Sequence, residues 1–158
     1  MTEIYIRAAH PADRNALIAL MRRASLANPG DRDALLAHPE AIDVPEDQLR
    51  ADATCVAELD GVAVGFAVVL PRPDGEAELD GLFVEPHLWR GGVGRLLVAQ
   101  ACELARGKGS NCLNVVANPH AFGFYRAVGF LDIGAAETRF GPALLMRIPL
   151  GVARYEHQ

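Results

Sequence analysis

One stretch of this chain constrains its fold more than any other: an apolar strand, a glycine-rich loop and a long amphipathic helix follow one another directly. The strand is predicted over Glu76 to Val84, the helix over about Gly92 to Lys108, and the next strand over Cys112 to Ala117. A strand–helix–strand crossover normally joins parallel strands of one sheet. The strands ending at Val84 and Ala117 are therefore predicted to run side by side.

Before this crossover, the residue pattern predicts antiparallel pairing. Asp60-Gly61 separates two β-rich runs, Thr54 to Leu59 and Val62 to Leu70, and this dipeptide readily adopts the positive φ angles of a hairpin turn. The remaining predicted elements are a strand, a helix and a broken helical excursion, followed by a short helix and two strands. Their ranges are Ile4 to Ala8, Asp13 to Ala24, 28–52 (helical at Ala34 to Ala37 and Glu46 to Ala51), Pro119 to Val128, Phe130 to Glu137 and Ala143 to Leu150.

Length and composition narrow the class of protein. A chain of 158 residues without a linker or repeat predicts one domain over residues 1–158. No apolar run is long enough to span a bilayer, and the three cysteines lack metal-ligand spacing, so we expect a cytoplasmic protein without membrane or metal binding. A net charge of −5 argues against nucleic-acid binding.

The apolar alternation of the strand before the glycine-rich loop breaks between Leu79 and Leu82. Gly81 lies inside the break, which is typical of a β-bulge. A bulge in one of two parallel neighbours bends that strand away and leaves backbone N–H and C=O groups open to an extended ligand. The alternative is a glycine kink that only curves the sheet.

The loop itself contains Arg90-Gly91-Gly92-Val93-Gly94-Arg95 and leads into the helix. Its glycines allow a ligand to approach the backbone, and the free N–H groups of a first helical turn favour a phosphate or pyrophosphate. Neither the Rossmann fingerprint nor the Walker loop matches the spacing, because Leu97 stands where the first requires glycine and no Gly-Lys-Ser/Thr follows. A plain turn without a ligand remains the alternative.

Two motifs resemble the GNAT superfamily of N-acetyltransferases. The first is Leu82-Phe83-Val84-Glu85-Pro86 with Arg90 to Leu97, and the second runs from Asn118-Pro119-His120-Ala121 through Phe124-Tyr125 to Gly129-Phe130. The likeness spans most of residues 54 to 150. It implies an α+β fold with a mixed, mostly antiparallel, centrally splayed sheet and helices on both faces. Trp89 departs from the family pattern, which has Gln or Arg at this position.

The resemblance also implies roles for individual residues in binding acetyl-CoA, the expected co-substrate. Backbone groups of Leu82, Phe83 and Val84 would contact the pantetheine arm and acetyl group, and Asn118 would reach the pantetheine amides. Tyr125 would also contact the donor and would protonate the leaving thiolate. The pyrophosphate would lie on the loop, against Arg90, Gly91, Gly92, Val93, Gly94, Arg95 and Leu96. Helix capping by Asn118 and core packing by Tyr125 are the alternatives.

The general base is less constrained by the sequence. Glu78 is the first choice, because a carboxylate beside the acetyl group can remove a proton from an ammonium. Asp80, His87 and His120 are further candidates, and a solvated or capping role is open for each.

The predicted function is transfer of acetyl to a primary amine of a small molecule or peptide, by direct attack on the thioester; a homodimer is an open option. The alternatives are a non-catalytic acyl-CoA-binding or regulatory module, and an acyltransferase with another acyl donor or an O-acceptor. Residues 31–52 suggest a negative rim that would attract a cationic amine, unless they form only a solvated face. Their acidic residues are Asp31, Asp33, Glu40, Asp43, Glu46, Asp47 and Asp52.

Overall fold

The computed structural model describes residues 3–151, in which one mixed sheet of seven strands carries helices on both faces. The strands are β1 (Tyr5–Ala8), β2 (Thr54–Leu59), β3 (Val62–Pro71), β4 (Ala77–Val84), β5 (Cys112–Ala117), β6 (Leu131–Thr138) and β7 (Gly141–Pro149). The helices are α1 (Arg14–Ala27), α2 (Pro29–Ala37), α3 (Val93–Gly107) and α4 (Phe122–Ala127). The sheet order is β1-β2-β3-β4-β5-β7-β6. The predicted α+β class is confirmed.

The centre of the sheet is splayed, as predicted. β4 and β5 run parallel, but their pairing covers only Ala77 with Leu113 and Glu78 with Asn114. Beyond these pairs the two strands separate, and every other strand pair in the described sheet is antiparallel. The parallel pair is thus the apex of a wedge that opens toward the carboxyl ends of β4 and β5.

A bulge in β4 accompanies the splay. Val68 of β3 pairs with Gly81, whereas the next residue of β3, Val69, pairs with Leu79, so Asp80 is the extra residue. An extra residue in one strand bends that strand and disrupts the local ladder. The β-bulge predicted at Gly81 is therefore confirmed.

The helices cover the sheet with two separate cores. On one face, α3 and the segment after β5 bury Leu97, Leu113 and Phe130 at zero exposure, and burying a side chain of this size contributes about 1.5–3 kcal/mol. On the other face, α1 buries Leu17 and Leu20 against β2 and β3. The wedge between β4 and β5 therefore lies between two layers of helices.

Three elements differ locally from the predicted ones. α2 begins at Pro29 rather than near Ala34, because the Asn28 side chain accepts a hydrogen bond from the Gly30 N–H and caps the helix. The predicted helix over residues 119–128 divides into a 3₁₀ turn, Pro119–Ala121, and α4. The helical stretch predicted at Glu46 to Ala51 is a single 3₁₀ turn over Glu46–Gln48.

The hairpin prediction at Asp60-Gly61 is confirmed, since both residues have positive φ angles, 54° and 81°. No helix within residues 3–151 combines the length and the apolar character needed to cross a membrane.

Candidate functional site

A cavity of about 850 Å³ lies where β4 separates from β5. Its walls come from both faces of the sheet: the end of α1 and start of α2 on one side, the start of α3 and the α4 segment on the other. Leu82, Phe83 and Val84 of β4 all line it, as the predicted ligand-binding edge requires. The bulge and the short parallel ladder are what give these residues an open side.

Trp89 fixes the loop that follows β4. Its indole Nε1–H donates a hydrogen bond to the backbone oxygen of Val84 at 2.8 Å, and its side chain lines the cavity while remaining 42% exposed. A buried or half-buried indole usually finds such a partner. Trp89 therefore holds the loop against the end of β4.

The glycine-rich loop turns sharply into α3. Arg90 has a φ of 70° and Gly92, the residue before α3, has a φ of 92°, so the chain enters the left-handed region twice within three residues. No side chain caps α3. Its first N–H groups lack helical partners and are available to an anion, while Arg90 and Arg95 line the same cavity.

The predicted loop contacts divide into two groups. Arg90, Gly92, Gly94 and Arg95 line the cavity, whereas Gly91, Val93 and Leu96 lie outside its lining. Val93 is buried in the core, where it helps to hold α3 against the sheet. Leu96 is 44% exposed, because the buried stripe of α3 runs through Val93 and Leu97.

Asn118 is held by two hydrogen bonds. Its Oδ1 accepts from the His120 N–H at 2.9 Å, and its Nδ2 donates to Asp31 Oδ1 at 2.8 Å. The first bond caps the turn after β5, as the capping alternative expects. The second joins this turn to α2, and Asn118 itself is outside the cavity lining.

Gly30 makes the approach of α2 to this turn possible. A Cβ atom at Gly30 would lie 2.4 Å from both terminal atoms of the Asn118 side chain and 2.5 Å from His120 Cδ2. No side chain fits at such distances without displacement of its neighbours. The glycine thus allows Asp31, the next residue, to contact Asn118.

Tyr125 lies at the base of the cavity. It is 8% exposed, and its ring stacks edge-to-face on Phe124 and Phe130 with centroids 5.2 Å away in each case. Among residues 3–151 the hydroxyl has no hydrogen-bond partner, yet it is not a buried unsatisfied atom, so it faces the cavity that Tyr125 lines. Burial, and then the charge of Asp31, raise the pKa of Tyr125, so the phenol is protonated at neutral pH.

The candidate bases are dispersed. Glu78 lies opposite Asn114 at the wedge apex and Asp80 lies in the bulge; neither lines the cavity, and the same holds for His87. Burial and the neighbouring Asp80 raise the pKa of Glu78, and burial raises the pKa of Asp80. His120 lines the cavity. The role of Glu78 as base stays a prediction.

One residue of the site, Asp31, was predicted only as part of the acidic rim, although it lines the cavity. The signal that could have singled it out is the repeated Asn-Pro dipeptide. Asn28-Pro29 and Asn118-Pro119 both begin helical turns with an asparagine cap. These two turns face each other through Gly30 and the Asp31–Asn118 hydrogen bond.

Residues 31–52, the predicted negative rim, also contact the hairpin between β6 and β7. Arg139 donates to Glu40 at 3.2 Å, and the Phe140 ring meets His38 edge-to-face with centroids 5.6 Å away. The excursion after α1 and the last hairpin therefore meet on one side of the sheet. In the part of the chain that the structure describes, no group of three His, Cys, Asp or Glu side chains is arranged to hold a metal.

Comparison with known proteins relates this chain to one family. The sequence profile of the acetyltransferase (GNAT) family matches residues 20–130. A nourseothricin acetyltransferase is 30% identical, with 69% of this chain and 70% of that chain covered and a TM-score of 0.58. No curated protein sequence matches.

Two further solved structures align over nearly the whole chain. A GNAT-family acetyltransferase from Streptococcus pneumoniae has a TM-score of 0.73 and 27% identity, covering 94% of this chain and 100% of its own. A protein from Salmonella typhimurium, solved with its cofactor acetyl-CoA, has a TM-score of 0.70 and 24% identity, covering 96% of each chain. The second supports the fold alone.

Proposed function

Because this chain belongs to the acetyltransferase (GNAT) family, we propose that it transfers acetyl from acetyl-CoA to a primary amine of a small molecule or peptide. One observation carries the proposal. The opened edge of β4, the uncapped start of α3 and Tyr125 all line the same cavity. An extended thioester with a pyrophosphate needs these three features together. The single domain predicted over residues 1–158 is part of this proposal.

The donor would lie along the cavity from the glycine-rich loop to β4. The N–H groups at the start of α3, with Arg90 and Arg95, suit a pyrophosphate, since a helix N-terminus favours anions. Backbone groups of Leu82 and the N–H of Val84, on the side of β4 away from β3, suit the amides of a pantetheine arm, and Phe83 lines the same cavity. The Salmonella protein of the same fold was solved with acetyl-CoA, and the choice of donor here rests on the cavity's own features.

The reaction requires one bond to form and one to break. The amine nitrogen attacks the thioester carbonyl carbon, the carbon–sulfur bond breaks, and the sulfur takes up a proton. Backbone N–H groups on the open side of β4 would stabilise negative charge on the carbonyl oxygen. The hydroxyl of Tyr125, which stays protonated because its pKa is raised by burial, would supply the proton to sulfur.

An assay of thiol release tests the function directly. The protein is incubated with acetyl-CoA and a panel of polyamines, basic peptides, aminoglycosides and neutral amino acids, and the acetylated amine is identified by mass spectrometry. Amine-dependent release of CoA with a matching acetylated product is expected. Tight CoA binding without release for any amine or hydroxyl acceptor would instead identify an acyl-CoA-binding module.

The acidic segment after α1 gives a prediction about salt. Several of its carboxylates are already paired with arginine, as in Arg14–Asp43 at 3.0 Å and Arg50–Asp52 at 2.8 Å. The remaining field is negative, so kcat/KM for a cationic acceptor should fall by roughly threefold between low and high ionic strength. Steady-state kinetics with a neutral amine as control checks this. A best acceptor that is neutral or anionic, with a rate indifferent to salt, would exclude an attractive rim.

A further inference from the structure

Asp31 differs from the other acidic residues of the segment that follows α1. The six others between residues 31 and 52 are exposed, whereas Asp31 is half-buried and lines the cavity. Burial raises the pKa of Asp31, although the hydrogen bond from the Asn118 amide and then the charge of His120 favour its ionised form. Among the carboxylates of this segment, Asp31 is thus the one that lies in the cavity wall, while the other six are exposed to solvent.

The charge of Asp31 is only partly compensated within the protein. Asn118 donates to its Oδ1, while Oδ2 has no hydrogen-bond partner among the described residues. Unlike Glu40, Asp43 and Asp52, Asp31 forms no salt bridge within residues 3–151. A half-buried carboxylate is costly without a cation beside it. His120 lies near Asp31 and lines the same cavity, and the rest of the cavity is the open side from which a cationic ligand can approach.

Asp31 and Tyr125 approach the cavity from opposite faces of the sheet. Asp31 belongs to α2, on the α1 side, and Tyr125 belongs to α4, on the α3 side. The two are close enough for the charge of Asp31 to disfavour ionisation of Tyr125. An amine held at Asp31 would therefore stand across the opened edge of β4 from the group that protonates the leaving sulfur.

We propose that Asp31 binds the ammonium group of the acceptor and accepts its proton before the amine attacks. The inference rests on the proposed function. The ammonium transfers one proton to Asp31 Oδ2, and the freed nitrogen lone pair forms the bond to the acetyl carbon. The carbon–sulfur bond breaks as Tyr125 gives its proton to sulfur. The nitrogen, now bonded to the acetyl carbon, gives its second proton to the Tyr125 oxygen, and Asp31 releases the first proton to solvent, so that one proton is released per turnover. Asp31, rather than Glu78, fills the base position in this scheme.

The test replaces Asp31 by asparagine, which keeps an oxygen for the Asn118 N–H but removes the charge. With spermidine, lysine amide or tetraalanine as acceptor, D31N should lower kcat/KM about 10²-fold relative to the wild type, since both ammonium binding and proton removal are impaired. With aniline, which is neutral at pH 7.5, the change should be small, since no ammonium needs binding or deprotonation. Asp60→Asn, at an exposed position of the β2–β3 turn outside both the cavity lining and the acidic segment, is the matched control and should behave as wild type.

A binding measurement keeps the inference independent of turnover. Calorimetric titration of the same three ammonium compounds into CoA-saturated protein should show affinity in the wild type and about tenfold weaker affinity in D31N. Equal affinities in both proteins, or binding of none of the three by the wild type, would overturn the role of Asp31. Acetyl transfer that persists in either case would leave the proposed function standing, whereas ammonium binding at Asp31 without any transfer would remove the function and keep the site.

Discussion

Replacing Tyr125 by phenylalanine is expected to lower kcat about 10²-fold while leaving the Kd for CoA almost unchanged. The substitution removes only the hydroxyl, which faces the cavity and has no partner among the described residues. The ring contacts with Phe124 and Phe130 persist, so the fold should be retained. Loss of the proposed proton donor to the leaving sulfur should then lower kcat without changing the affinity for CoA.

Steady-state kinetics and calorimetry on the same preparation measure both quantities. Tyr5→Phe is a suitable control, because Tyr5 is an exposed residue of β1, away from the cavity lining. Normal turnover of the Tyr125 variant with a good acceptor would mean that Tyr125 is only a core aromatic. A parallel loss of CoA affinity would indicate that the hydroxyl contacts the donor instead of protonating it.

Replacing Gly94 by valine should weaken CoA binding by at least about 2 kcal/mol, or roughly thirtyfold in Kd. A Cβ atom at Gly94 would lie 3.1 Å from two carbons of the Phe124 ring, and valine adds two methyl groups beyond it. The added atoms either displace Phe124 or enter the cavity that Gly94 lines. Both outcomes obstruct a ligand at the start of α3.

Gly107→Val is the matched control for this experiment. Gly107 lies at the opposite end of α3, and a Cβ atom there meets nothing within 4 Å. Gly92→Val adds a second probe, because its φ of 92° strains any side chain even though the surrounding space is open. A folded Gly94 variant that binds CoA as tightly as the wild type would remove the loop from the donor site.

The parts of the fold that the sequence predicts are those specified by local patterns. The bounds of β5 are as predicted, and the hairpin turn at Asp60-Gly61 follows from the positive φ angles that this dipeptide tolerates. The bulge at Gly81 is visible because it interrupts a period of two in the apolar residues. Each of these signals lies within a few residues of the feature that it predicts.

The parts that could not be predicted depend on contacts between distant segments. Asp31 and Asn118 are 87 positions apart. The two Asn-Pro dipeptides indicate similar turns, but nothing near either one shows that the turns meet. The hydrogen bond from Trp89 to the Val84 backbone joins residues that are close in sequence, but it depends on the path of the loop between them. The exposure of Leu96 likewise reflects which side of α3 the sheet covers, which the apolar stripe alone left undecided.

The position of Asn118 between the two sides of the cavity links their energetics. Its Nδ2 carries two protons, of which one is donated to Asp31 while the other has no partner within the described chain. An amide carbonyl of bound acetyl-CoA that accepts a hydrogen bond from this second N–H would polarise and orient the same side chain that donates to Asp31. Thermodynamic reciprocity then applies: whatever factor the donor imposes on the affinity for the ammonium, the ammonium imposes on the affinity for the donor. A single asparagine side chain would thus make the two binding equilibria cooperative without any movement of the sheet.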